Sequence, residues 1–87
     1  MDWDIRNYYE FLVRQAIQDR RLSEKLAEDP LTDLVCLTLN KLPARYIRYH
    51  VDMANYVLGE ERIRMEQQVA QALDEALLFL HQHPRTE

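Results

Sequence analysis

A mainly helical fold, a compact bundle of three to four helices, is what this sequence predicts. Three observations carry the prediction. Only one glycine and three prolines occur in 87 residues, too few for the many turns of an all-β chain. Long segments repeat apolar side chains at steps of three and four. Apolar residues make up 47% of the chain, enough to drive folding and to argue against a disordered polymer. A chain this short buries only about 60% of the surface its unfolded form exposes, so a lone core is marginal and pairing with a second copy is expected. Residues 1–87 read as one domain, with no internal repeat, low-complexity tract or linker.

The first helix is predicted from about Asp4 to Arg20, because Ile5, Tyr8, Tyr9, Leu12, Val13, Ala16 and Ile17 form one stripe. Asp2 and Asp4 at its start and Arg20 and Arg21 at its end suit the helix dipole. Phe11 lies off the stripe, as the edge of a wide buried face or as an exposed contact. A shorter helical piece, Leu22 to Glu28, is capped by Ser23 and broken by Asp29-Pro30, since a residue before proline avoids the helical region. A second core helix runs from Thr32 or Asp33 to about Lys41 and is apolar on most sides, the mark of a central, largely buried element. Leu42-Pro43 ends it, with Leu39 and Leu42 in the core and Asn40 holding the turn.

Over 46–57 the period falls to two, which predicts an extended segment. A lone strand leaves its backbone groups unpaired, and no second convincing strand is evident. Self-pairing across a dimer is one solution, and a short helix or irregular segment is the other. The last helix, about Glu60 to His81, carries Ile63, Met65, Val69, Ala72, Leu73, Ala76, Leu77 and Leu80 at helical spacing. The tail from Arg85 to Glu87 is expected to fray.

Several function classes are disfavoured by composition. The net charge of −4 opposes general binding to nucleic acid backbones. No stretch approaches the roughly 20 apolar residues of a membrane span, and the acidic start does not resemble a secretory signal. With one cysteine, Cys36, the chain suits a reducing compartment, and a cytoplasmic location is expected. Cys36 lies in an apolar helical run, so it is expected to be buried and unreactive. His81 and His83 are spaced i,i+2, which sends helical side chains to different faces, and no metal is expected. The carboxylate pairs Glu60-Glu61 and Asp74-Glu75 fit helix starts and surfaces, and no phosphate-binding glycine loop exists. No catalytic group and no cofactor is expected.

One segment stands out. Between Leu39 and His50 lie Lys41, Arg45 and Arg48 with Tyr46, Tyr49 and His50. Guanidinium forks match phosphate oxygens, and guanidinium and phenol planes stack on purines. Cations also gather at helix C-termini for reasons of the dipole alone.

The chain also resembles a known family. Asn7-Tyr8-Tyr9-Glu10-x-Leu12-Val13, then Asp33 through Leu39-Asn40-Lys41-Leu42-Pro43-Ala44-Arg45-Tyr46, and finally Val69-x-x-Ala72-x-x-x-Ala76 with Pro84-Arg85, are similar to the late competence development protein ComFB family. The most specific part is L-N-x-L-P-x-x-Y. The resemblance implies a small, dimeric, largely helical bacterial protein. Several cyanobacterial relatives are receptors for cyclic dinucleotides, so it also implies a regulatory protein that binds cyclic di-GMP or, second, cyclic di-AMP. Arg45 and Arg48 are then candidates for phosphate or guanine contacts, Tyr46 and Tyr49 for stacking, and Asp52 for a guanine edge. The alternative is a ligand-free dimeric adaptor that presents Trp3, Phe11 or Tyr56 to a protein partner. Some family members hold zinc through extra cysteines, a property that does not carry over to a chain with Cys36 alone. His50-Val51-Asp52-Met53 replaces the family's serine- and glycine-containing stretch.

The marginal core and the wide apolar faces predict a homodimer. Sedimentation equilibrium at micromolar concentration should return twice the chain mass, and a clean monomer mass would contradict the prediction.

Overall fold

The computed structural model describes residues 3–52 and 58–84. Its order is β1 (Ile5–Asn7), α1 (Tyr8–Asp19), a 3-10 turn (Leu22–Glu24), α2 (Glu28–Asn40), β2 (Tyr46–Arg48), α3 (Tyr49–Asp52) and α4 (Glu60–Gln82). The mainly helical expectation holds, with a small two-stranded antiparallel sheet added. A helix of 23 residues rises about 34 Å. It is long enough for α4 to pack against both α1 and α2.

The sheet corrects the first predicted boundary. Residues 5–7 are a strand, not the first turn of a helix, and they supply the partner that β2 needs within the same chain. The register sets Ile5 against Arg48, Arg6 against Ile47 and Asn7 against Tyr46. The Tyr8 N–H donates to the Arg45 carbonyl at 2.6 Å and the Tyr49 N–H to the Asp4 carbonyl at 2.9 Å, which extends the pairing at both ends. Ile5 misled the periodicity because it falls in the register of the helical stripe. The true start was written in Asn7-x-x-Glu10, the spacing of an N-cap residue and its capping-box partner. The Asn7 side chain accepts from the Tyr9 N–H at 3.2 Å, and it also accepts from the Arg45 N–H at 2.9 Å.

The second expected segment is shorter and the third longer than predicted. Arg21 adopts the left-handed conformation (φ 54°) after α1, and the single 3-10 turn that follows buries Leu22. The N-cap position of that turn is Arg21 rather than Ser23, and it makes no side-chain capping bond. Asp29-Pro30 opens α2 instead of breaking a helix. The first four N–H groups of a helix have no partner within it, so proline costs no hydrogen bond there, and Glu28 and Asp29 suit the positive end of the dipole.

Among the described residues of the extended prediction over 46–57, Tyr46–Arg48 is a strand and Tyr49–Asp52 is a short helix instead; 53–57 lies outside the described residues. Gly59, at φ 66°, precedes α4 in a conformation that L side chains rarely adopt.

The core combines Tyr8, Leu12, Val13 and Ile17 of α1 with Leu34 of α2, Ile47 of β2, and Met65, Val69, Leu73 and Ala76 of α4. On α2 only Leu34 and Thr38 are buried, so its predicted central position is corrected: Leu31, Val35, Leu37 and Leu39 are half-buried and Cys36 is exposed. A helix that is apolar all round does not declare which side meets the core. Thr38 sits fully buried because its hydroxyl donates to the Leu34 carbonyl at 2.7 Å. Ile63, assigned to the buried stripe of α4, is 55% exposed. Leu39 and Leu42 do pack against the core from its edge. Phe11 is half-buried and stacks on Tyr8, with centroids 5.6 Å apart.

The turn after α2 is held by Asn7 rather than by Asn40, whose amide reaches only Cys36 Sγ at 3.8 Å. Urea denaturation should therefore rank three variants. Leu34→Ala should cost roughly 2–5 kcal/mol through the cavity it leaves. Asn7→Ala should cost about 1.5–3 kcal/mol through two lost backbone bonds. Asn40→Ala should stay within about 0.5 kcal/mol. Equal effects at Asn7 and Asn40 would contradict this division of roles.

Candidate functional site

The segment after α2 is positioned by the β1–α1 junction. The Arg45 N–H donates to Asn7 and the Arg45 carbonyl accepts from Tyr8, so its backbone is fixed on both sides. Ile47 is buried, whereas Tyr46 and Arg48 are exposed, as strand alternation requires. The Arg45 side chain reaches α4, where Nη1 lies 2.7 Å from Glu61 Oε1.

Beside this ion pair opens a cleft of about 400 Å³, whose lining includes Tyr9, Pro43, Arg45, Glu61, Arg64 and Gln68. The Tyr9 hydroxyl donates to Gln68 Oε1 at 2.6 Å. Burial pushes the Tyr9 phenol above its ordinary value of 10.0, while Arg45 pulls it down and Glu61 adds to the rise. The cleft thus offers two guanidinium groups, a carboxylate, an amide and the Tyr9 hydroxyl. These groups can bind an anion or the edge of a flat base.

The five predicted site residues do not meet in one place. Arg45 lines the cleft. Tyr46, 67% exposed, and Arg48 belong to the outward side of β2. Asp52 Oδ2 accepts from the Arg48 N–H at 3.0 Å. Tyr49 borders a shallow groove of about 70 Å³ next to Phe11 and Arg14, with the Arg6 guanidinium 4.9 Å from its ring centroid. Lys41 pairs with Glu75 at 3.6 Å on the α2–α4 surface, away from the cleft residues.

Sequence reasoning missed Tyr9, Glu61, Arg64 and Gln68. Tyr9 was absorbed into the core stripe and Glu61 into helix capping. Arg62 and Arg64 close to Gly59 were the available signal. Arg62 faces the other way, donating to the Tyr8 hydroxyl at 2.6 Å and lying over the Tyr8 and Phe11 rings. Of the residues proposed for partner display, Trp3 is 75% exposed, Phe11 is half-covered by Tyr8 and Arg62, and Tyr56 lies outside the described residues.

The raised Tyr9 phenol makes a testable contribution to stability. A folded-state value above the unfolded one stabilises fully below about pH 10 and is lost as pH rises through the higher folded value. Wild type should therefore lose melting temperature more steeply than Tyr9→Phe above pH 10. At neutral pH the variant should be weaker by about 0.5–1.5 kcal/mol. Parallel melting curves across the alkaline range would refute this.

Among the described residues no helix is long and apolar enough to cross a membrane. No curated protein and no solved structure matches the chain. The family model described as late competence development protein ComFB matches residues 6–84. That span starts in β1, takes in the turn at Pro43 with β2 beyond it, and ends after α4. It covers every element that builds the core and the cleft, and the chain therefore belongs to the late competence development protein ComFB family.

Proposed function

We propose that this protein is a non-enzymatic regulator that binds a cyclic purine dinucleotide, cyclic di-GMP ahead of cyclic di-AMP, as a homodimer. The observation that carries the reading is the pair of guanidinium groups, Arg45 and Arg64, lining one open cleft beside Tyr9 in a protein of net charge −4. Its volume of about 400 Å³ falls in the range of small-molecule sites. The family resemblance supplies the ligand class.

A cyclic dinucleotide has two phosphates and two flat bases. A two-fold dimer presents each side chain twice, once to each half of such a ligand. Arg45 and Arg64 are assigned to phosphate or base contacts in the cleft. Tyr46, Arg48, Tyr49 and Asp52 are assigned to the ligand's outer side, where they would close the site between two copies. The exposed Tyr46, Val51 and Ile63 supply apolar surface for that pairing.

A second reading, a ligand-free dimeric adaptor, is favoured by a different observation. Trp3, Leu78 and Phe79 are large apolar side chains left exposed, and a partner protein would cover them.

Calorimetric titration separates the two readings. Cyclic di-GMP should bind wild type with measurable heat. Arg45→Ala and Arg64→Ala should each weaken binding by about tenfold or more, the loss of one charge-assisted contact of roughly 1.5–3 kcal/mol. Arg48→Ala should have a similar effect only if the outer residues close the site. Absence of heat with both cyclic nucleotides would sink the receptor reading, and unchanged affinity in all three variants would move the site elsewhere.

A further inference from the structure

We propose that Glu61, held beside Arg45, is the residue that selects guanine over adenine in this cleft. The inference rests on the nucleotide-receptor reading and assigns its specificity. The two bases differ in the order of groups along their edges. Guanine presents, in sequence around its edge, the acceptors N7 and O6 and then the donors N1–H and N2–H₂. Adenine presents the acceptor N7, the donor N6–H₂ and the acceptor N1.

The cleft presents a guanidinium, all donors, 2.7 Å from a carboxylate, all acceptors. Laid along guanine, Arg45 faces N7 and O6 while Glu61 faces N1–H and N2–H₂. Laid along adenine, Arg45 N–H groups meet the N6 amino group, and the carboxylate meets the lone pair of N1. Both contacts are then repulsive, and repulsion against the wrong ligand is as much a source of specificity as attraction to the right one.

Glu61 has the access that this role needs. The Arg45 and Glu61 side chains are 41% and 42% exposed, so the pair faces water and is weakly held against a competing ligand. Glu60 lies in the same first helical turn and serves the dipole equally well, but it does not line the cleft. Asp52 is a weaker candidate because Oδ2 already accepts the Arg48 N–H within its own short segment.

The test is Glu61→Gln. A glutamine amide sets one acceptor beside one donor, so its N–H₂ can donate to adenine N1, where the carboxylate was repelled, and it mismatches one of the two guanine donors, N1–H and N2–H₂. Wild type and variant are titrated with GMP, AMP, cyclic di-GMP and cyclic di-AMP, with melting curves to confirm folding. Wild type should prefer the guanine member of each pair. Glu61→Gln should lose about tenfold or more in guanine affinity and shift its preference toward adenine. Glu61→Ala should lose discrimination without gaining adenine.

The outcomes separate this inference from the reading beneath it. Binding of cyclic di-GMP with an unchanged guanine-to-adenine ratio in both variants overturns the role of Glu61 and leaves the receptor reading intact. Preference of wild type for adenine also overturns it. Selective binding of GMP without binding of either cyclic nucleotide supports the guanine assignment and overturns the cyclic ligand. No binding of any of the four overturns both.

Discussion

The amide oxygen of Asn7 accepts two backbone protons, one from Tyr9 and one from Arg45. Those residues lie far apart in sequence, in the first turn of α1 and at the entry to β2. One side chain therefore starts a helix and fastens the segment that returns to it after α2. A hydroxyl at this position could cap the helix. The amide of Asn7 also reaches across to the returning strand. The β1–β2 pair depends on the same contact, because the Tyr8 N–H reaches the Arg45 carbonyl one residue away. Three residues per strand would be too few to stand alone in water. Here they are closed at one end by Asn7 and sealed below by the buried Ile47.

The cleft inherits its geometry from this arrangement. With both backbone groups of Arg45 engaged, by Asn7 at the end of β1 and Tyr8 at the start of α1, its side chain reaches α4 and meets Glu61. Tyr9 performs two tasks from one position. Its ring belongs to the core, and its hydroxyl reaches out to Gln68, which lines the cleft. Core packing and site geometry are thus coupled. A change that loosens α1 against α4 displaces the hydroxyl and the guanidinium together. The charges nearby follow a different rule. Arg20–Asp74 and Lys41–Glu75 join α4 to its neighbours at exposed positions, where ion pairs contribute little to stability. Arg45–Glu61 is similarly exposed, and its interest lies in the chemistry it presents.

Three features of the fold were legible in the chain because they are written in local chemistry. The helical class followed from the scarcity of glycine and from periodicity. The last helix was readable nearly to its end because Gly59 and Pro84 bracket a long amphipathic run. The stop at Leu42-Pro43 followed from the steric conflict before proline. Local chemistry also misled. Ile5 fell into helical register by coincidence, although Asn7-x-x-Glu10 carried the correct boundary. Asp29-Pro30 read as a break, yet the first turn of a helix has no bond for proline to remove.

By itself, then, the sequence determined the helical class, the family pattern around L-N-x-L-P-x-x-Y, and the concentration of cations and tyrosines after Pro43. Only the tertiary structure decided what those residues meet. Strand pairing is a non-local bond, so the extended period at 46–48 could be read without showing that residues 5–7 are its partner. The uniformly apolar α2 could not announce that Leu34 and Thr38 face inward while Cys36 faces out. Arg45 was separated from Tyr46 and Arg48 by strand alternation and by the pull of Glu61. Tyr9, Glu61, Arg64 and Gln68 joined it because α1 and α4 pack side by side. Periodicity reports which face of an element is apolar, and it carries no information about which other element that face will find.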